Sequence, residues 1–173
     1  MKKLLVFIIL IAATLSLSAQ GRYMTRQIEN NFDRLNQPPF AALSFADSTV
    51  TQALTADTWS VISEFVEDAS NDVTTSDDTI TMQKDGGYAI DAGLTFSYGA
   101  GDTLQVQLFD GATAFGPKYV VSDTIGAVTT TVHLSTYRAL SQGDIVSLKM
   151  RNITDATDAT VMSGSLFIRR IYH

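Results

Sequence analysis

The sequence predicts an all-β domain, and three observations carry that prediction. Thr, Ser, Ala and Asp are plentiful while the helix-favouring Glu is rare. The β-branched and aromatic residues gather in short runs separated by Asp, Ser, Thr and Gly. Within those runs apolar and polar residues alternate with a period of two, the pattern of strands with one buried face. A chain of 173 residues holds one compact domain of this kind, so a single domain is the working frame.

Charge and cysteine content narrow the partners. With 18 acidic residues against 12 basic ones, the surface repels phosphate backbones, and nucleic acid is not an expected partner. The chain has no cysteine, so no disulfide restrains the unfolded state and stability must come from burial and subunit contacts.

The first element, "MKKLLVFIILIAATLSLSAQ", places Lys2 and Lys3 before an apolar stretch from Leu4 to about Ala13, then small residues at Ser16, Ser18 and Ala19. Residues 1–19 therefore have the layout of a secretory signal peptide, the alternative being a retained N-terminal anchor. Export implies a secreted, periplasmic or cell-surface protein that meets a membrane only through an uncleaved leader. The anchored alternative implies a virion component. Residues 20–39 follow as a short amphipathic helix and a Pro linker. Met24, Ile28, Phe32 and Leu35 form one apolar stripe, and the helix must end before Pro38 and Pro39. The stripe suits either two heptads of coiled coil or packing on the chain's own domain.

Residues 40–173 read as about ten strands, near 41–46, 49–54, 59–66, 78–83, 87–98, 103–109, 118–122, 127–134, 144–151 and 162–171. Ile90, Ala92, Leu94, Phe96 and Tyr98 share one face, and Leu104, Val106 and Leu108 share another. "GAGD", Gly99 to Asp102, supplies the glycines of a tight turn, so these two segments are expected to pair as an antiparallel hairpin. Val128, Thr130, Val132 and Leu134 alternate likewise, as do Val146, Leu148 and Met150. Leu166, Phe167 and Ile168 are consecutive apolar residues, the mark of a central strand covered on both faces. Ten short antiparallel strands imply a two-sheet sandwich, most commonly closed as a jelly roll.

The inventory offers little chemistry. Of the two histidines, His173 ends the chain and His133 lies on the polar face of a Thr-rich strand, which supplies neither a nucleophile system nor a zinc set. No organic cofactor is expected. Calcium is the one ion with candidate ligands: Asp68, Asp72, Asp77 and Asp78 in "EDASNDVTTSDD", and Asp155 and Asp158 in "NITDATDAT". Neither stretch matches the spaced loop with its glycine and terminal Glu, and Asp in loops is mostly turn chemistry. Asn152, Ile153 and Thr154 fit a glycosylation acceptor. Trp59, Phe65, Tyr88, Phe96, Tyr98 and Phe167 are expected mostly in the core. "FDGATAFGPKY" reads as a long exposed connection, which makes Asp110, Phe115, Lys118 and Tyr119 the candidate ligand-binding residues.

Three segments, in order, resemble a known superfamily. "GGYAIDAGLTFSY" resembles the glycine, tyrosine and alternating-strand signature of the jelly rolls of tumour necrosis factor and the complement-type globular heads. "LSQGDIVSLKM" resembles their Leu, Gly-Asp, Val strand, and "SGSLFIRRIYH" resembles their closing strand. The resemblance spans about residues 40–173. It implies a homotrimer with the closing strands near the threefold axis, hence Leu166, Phe167, Ile168 and Tyr172 at the subunit interface, and binding rather than catalysis. The chain departs from the pattern in its acidity, in lacking a collagen-like stalk and in placing Arg169 and Arg170 where an apolar pair is usual. The function expected is that of an exported, non-enzymatic, trimeric recognition or adhesion protein with a protein or glycan partner. The alternative is a virion structural protein, such as a capsid decoration, head fibre or tail component, anchored through its N-terminal segment.

Overall fold

The computed structural model describes residues 37–76, 78–124 and 128–172. The leader, the amphipathic helix and Asp77 lie outside the described residues. Twelve strands are seen among those described: β1 (Phe40–Phe45), β2 (Val50–Gln52), β3 (Ser60–Val61), β4 (Val66–Asn71), β5 (Val73–Ser76), β6 (Thr79–Met82), β7 (Gly86–Tyr98), β8 (Thr103–Asp110), β9 (Thr113–Ser122), β10 (Val128–Leu140), β11 (Ile145–Asn152) and β12 (Ala159–Tyr172). They form two antiparallel six-stranded sheets. The first runs β10-β7-β12-β1-β4 with β2 also on β12; the second runs β5-β6-β11-β8-β9 with β3 also on β11.

The expected faces are the observed ones. Ile90, Ala92, Leu94, Phe96 and Tyr98 of β7 are buried, and Leu104, Val106 and Leu108 of β8 meet them from the opposite sheet. Val146, Leu148 and Met150 of β11 and Val132 and Leu134 of β10 complete the same core. This continuous apolar interior between two sheets drives the fold, since each fully buried Leu, Ile or Phe contributes roughly 1.5–3 kcal/mol over exposure.

The β7–β8 connection corrects one expectation. β7 pairs with β10 and β12, whereas β8 pairs with β9 and β11, so the two are not a hairpin. The Gly99–Asp102 turn, with Gly101 at φ 85°, carries the chain from one sheet to the other. Alternation fixed the buried faces of both strands correctly because that depends on the core and not on the hydrogen-bonded partner.

Two stretches expected as loops are strands. The acidic 67–78 segment forms β4 and β5 around a corner at Asp72, and the chain changes sheet there. Asp72 has φ 53° and Asp78 φ 68°, left-handed conformations that Asp tolerates better than most residues. "FDGATAFGPKY" is the β8–β9 hairpin, closed by the Asp110–Thr113 pair. A bulge follows: Leu108 pairs with Phe115, but Gln107 pairs with Lys118. Gly116, at φ 67°, and Pro117 form that bulge on an edge strand, the one kind of strand that accepts a proline without losing a ladder bond. The residues that looked like a turn therefore interrupt a strand's register. The strand expected over 59–66 is shorter, covering only Ser60–Val61.

The end of the sandwich beside Gly86 carries a half-buried polar row at the margin of the apolar core. Arg138 of β10 and Arg170 of β12 lie opposite Tyr88 of β7 on its two sides. The Tyr88 hydroxyl donates to the Lys84 carbonyl at 2.7 Å, and burial raises its pKa above the usual phenol value while Arg170 acts in the opposite sense.

Candidate functional site

The loop-based ligand site does not assemble as a surface. Phe115 is 7 % exposed, packs in the core and lies under the Arg138 guanidinium at 4.6 Å. Arg138 also reaches the Asp110 carboxylate at 3.0 Å, so Asp110 and Phe115 together hold one half-buried arginine. Lys118 and Tyr119 are exposed on β9, but their side chains alternate to opposite faces of that strand.

The acidic candidates are likewise dispersed. Asp72 pairs with Lys84 at 2.5 Å, Asp78 accepts the Phe65 amide at 2.8 Å, and Asp68 sits exposed on β4. In the second stretch, Asp158 accepts the Leu54 amide at 2.8 Å and Asp155 accepts the Thr157 amide at 2.7 Å. Among the described residues no group of three or more His, Asp or Glu is placed to hold a metal ion. Asp155 closes its own turn, while Asp78 and Asp158 tie segments distant in sequence together.

Asp155 yields a testable consequence. Its carboxyl is held below the ordinary value, first by the Thr157 amide and then by the Thr157 hydroxyl. A lowered folded-state pKa stabilises the fold above the unfolded value near about pH 4 and loses that contribution as pH falls through the lowered one. Asp155→Asn is expected to flatten the acid limb of a melting-temperature profile while leaving it unchanged in shape above about pH 5.

Asn152 is fully buried, at 0 % exposure, which removes it as a glycan acceptor. Its side-chain oxygen accepts the Thr154 amide at 2.9 Å, and its nitrogen donates to Asp155 at 3.0 Å and to the Thr157 carbonyl at 3.3 Å. It organises the loop between β11 and β12.

The closing strand β12 divides its expected interface residues in two. Leu166 and Ile168 point inward and are part of the core, so they are unavailable to another subunit. Phe167 and Tyr172 are 37 % and 54 % exposed. The run of three apolar residues arises because the middle one, Phe167, lies on the outer face of the first sheet.

That outer face is the most distinctive surface of the molecule. Along β7 it presents Gly87, Ala89, Asp91, Gly93, Thr95 and Ser97, flanked on β10 by Thr131, His133, Ser135 and Tyr137, and on β12 by Ser165, Phe167 and Arg169. At one end the rings of Tyr137 and Tyr172 approach to 5.4 Å across Gly87, which leaves no room there for a Cβ. In the middle lies a recess of about 200 Å³ lined by Asp91, Gly93, His133, Ser135, Ser165 and Phe167. Gly93 is its floor: a Cβ there would stand 3.1 Å from the Ser165 hydroxyl and 3.3 Å from His133 Nδ1. Sequence reasoning found Phe167 but missed this recess, because it is made by three strands brought into register.

A serine, a histidine and an aspartate line one recess, yet they do not form a catalytic triad. Their side chains make no hydrogen bonds to one another, or to any other of the described residues. The β7 backbone beneath them is paired on both sides, so it has no amide to offer an oxyanion.

No family model matches the sequence, and no curated protein matches it significantly. Solved structures do. Eiger, a tumour necrosis factor protein from S. frugiperda, superimposes with a TM-score of 0.56 over 78 % of this chain and 95 % of its own, at 14 % identity. Murine APRIL gives 0.53 over 75 % of this chain and 98 % of its own, at 11 % identity. The fold is a tumour necrosis factor-like jelly roll. The PRD1 vertex protein P5 shares it, with a TM-score of 0.51 over 78 % of this chain and 73 % of its own, at 16 % identity. At these identities the likeness concerns the jelly roll itself, whose two sheets match the expected all-β sandwich, with twelve strands where about ten were expected.

Proposed function

We propose that this chain is a non-enzymatic recognition or adhesion protein, exported through its N-terminal segment and working as a homotrimer. The observation that carries this reading is the outer face of the β10-β7-β12 sheet. Small side chains along β7 let a second surface approach closely, while Phe167, Tyr137 and Tyr172 leave aromatic area facing solvent. A domain with no cysteine gains stability from covering such a face. Recognition then falls to surfaces that remain outside the assembly. Light scattering on the mature protein tests the association: the reading expects three times the mature chain mass at micromolar concentration, and a stable monomer contradicts it.

A second reading is favoured by the likeness to the PRD1 vertex protein P5: a virion component anchored by its N-terminal segment. Mass spectrometry of the native protein separates the two. A chain beginning near Ala19 or Gln20 supports export, and an intact Met1 supports the anchor.

A further inference from the structure

We infer that the recess over Gly93 is a guanidinium receptacle, and that in the assembled protein it takes Arg169 from a neighbouring copy of this chain. The inference rests on the self-association proposed above and names the contact that sets its register.

The lining has the chemistry that a guanidinium requires. Asp91 supplies a carboxylate, and Ser135 and Ser165 supply hydroxyl acceptors. The Phe167 ring forms an apolar wall on which a planar cation can stack. A flat, donor-rich cation therefore finds both its in-plane acceptors and its ring partner in a space the size of one large side chain. Asp91 is exposed, and its side chain has no hydrogen bond or ion pair among the described residues.

Arg169 is the matching half. It is exposed on the same outer face, and its side chain too has no partner among the described residues. On β12 it stands opposite Ala89, one row beyond the Phe167–Asp91 pair, and it does not line the recess of its own chain. Arg138 and Arg170, by contrast, point inward beside Tyr88, and Arg138 is already held by Asp110. Among the described residues, the face thus carries one carboxylate in a recess and one guanidinium beside it that have no partner. Such a surface complements itself: each copy can give its arginine to one neighbour and receive an arginine from the other, a head-to-tail contact that closes as a ring. The adjacent pair Arg169 and Arg170 then divides into one associative and one structural residue.

A charge exchange tests this in the full chain, with sedimentation velocity as the readout. Asp91→Arg and Arg169→Asp are each expected to weaken association about tenfold or more, because each juxtaposes like charges at a closed contact. The double variant, which restores opposite charges with the roles reversed, is expected to recover association to within about threefold of the unaltered chain. Both side chains are exposed, so melting temperature should change little; if Asp91→Arg unfolds the sandwich, Asp91→Asn replaces it as the single variant. If the unaltered chain assembles and the single variants assemble equally well, the receptacle is overturned while self-association stands. If the double variant fails to recover although folded, the pairing is likewise overturned. If the unaltered chain is a monomer, the proposal of self-association fails and the receptacle fails with it.

Discussion

Ile168→Ala is expected to lower the unfolding free energy by about 2–5 kcal/mol, whereas Phe167→Ala, one residue earlier on the same strand, is expected to change it by less than about 1 kcal/mol. Ile168 is fully buried between β7 and β1 in a core contributed by both sheets, so truncation removes apolar contact and leaves a cavity that rigid strands cannot close. Phe167 faces outward at 37 % exposure, so its truncation opens no enclosed cavity in the core. The order reverses for assembly: Phe167→Ala should weaken self-association while Ile168→Ala, wherever it remains folded, should not. Urea denaturation of both variants with sedimentation at matched concentration checks the two halves of this expectation. Equal destabilisation by the two substitutions would contradict the placement of β12.

The second large effect belongs to Asn152. Asn152→Ala is expected to destabilise the domain by about 1–3 kcal/mol, because it removes both the acceptor for the Thr154 amide and the donor to Asp155 and the Thr157 carbonyl from a fully buried position. Asn152→Asp keeps the shape but turns a donor into an acceptor facing the Asp155 carboxylate, so it should be no better tolerated at neutral pH. Denaturant midpoints for the two variants test this. In a host that glycosylates the exported chain, mass analysis should find Asn152 unmodified, as its burial requires.

The comparison of these residues shows what the sequence could and could not reveal. Burial alternates along β7 and β10, and the inward apolar residues of β8 and β11 recur at every second position, so these four inward faces were legible, and with them the sandwich. Alternation is silent about pairing, which is why β7 and β8 looked like a hairpin although a glycine turn sends them to different sheets. β4 was illegible because it lies at a sheet edge with most of its residues exposed, and no apolar period marks it. The second half of β9 was expected as the strand 118–122, but its first half was masked by Gly116 and Pro117, residues that signal a turn in most settings and here make a bulge. The acidic clusters suggested calcium because their composition resembles ligands. Their geometry instead spends the carboxylates of Asp72, Asp78, Asp155 and Asp158 on separate partners. The recess over Gly93 depends on the register of β10, β7 and β12 together, which no single segment encodes.

The central claim is that the outer face of the β10-β7-β12 sheet is covered in the working protein. The chain contains no cysteine, so a single Ser→Cys substitution introduces a unique, nearly isosteric thiol. Ser165→Cys places it in the recess, and Ser122→Cys places it on the exposed outer side of β9 in the other sheet. The most direct measurement is the rate of maleimide labelling at both sites across a dilution series. Coverage predicts that Cys introduced at Ser165 labels slowly at micromolar concentration and faster on dilution, while that introduced at Ser122 labels at one fast rate throughout. Equal, concentration-independent labelling at the two sites would contradict it.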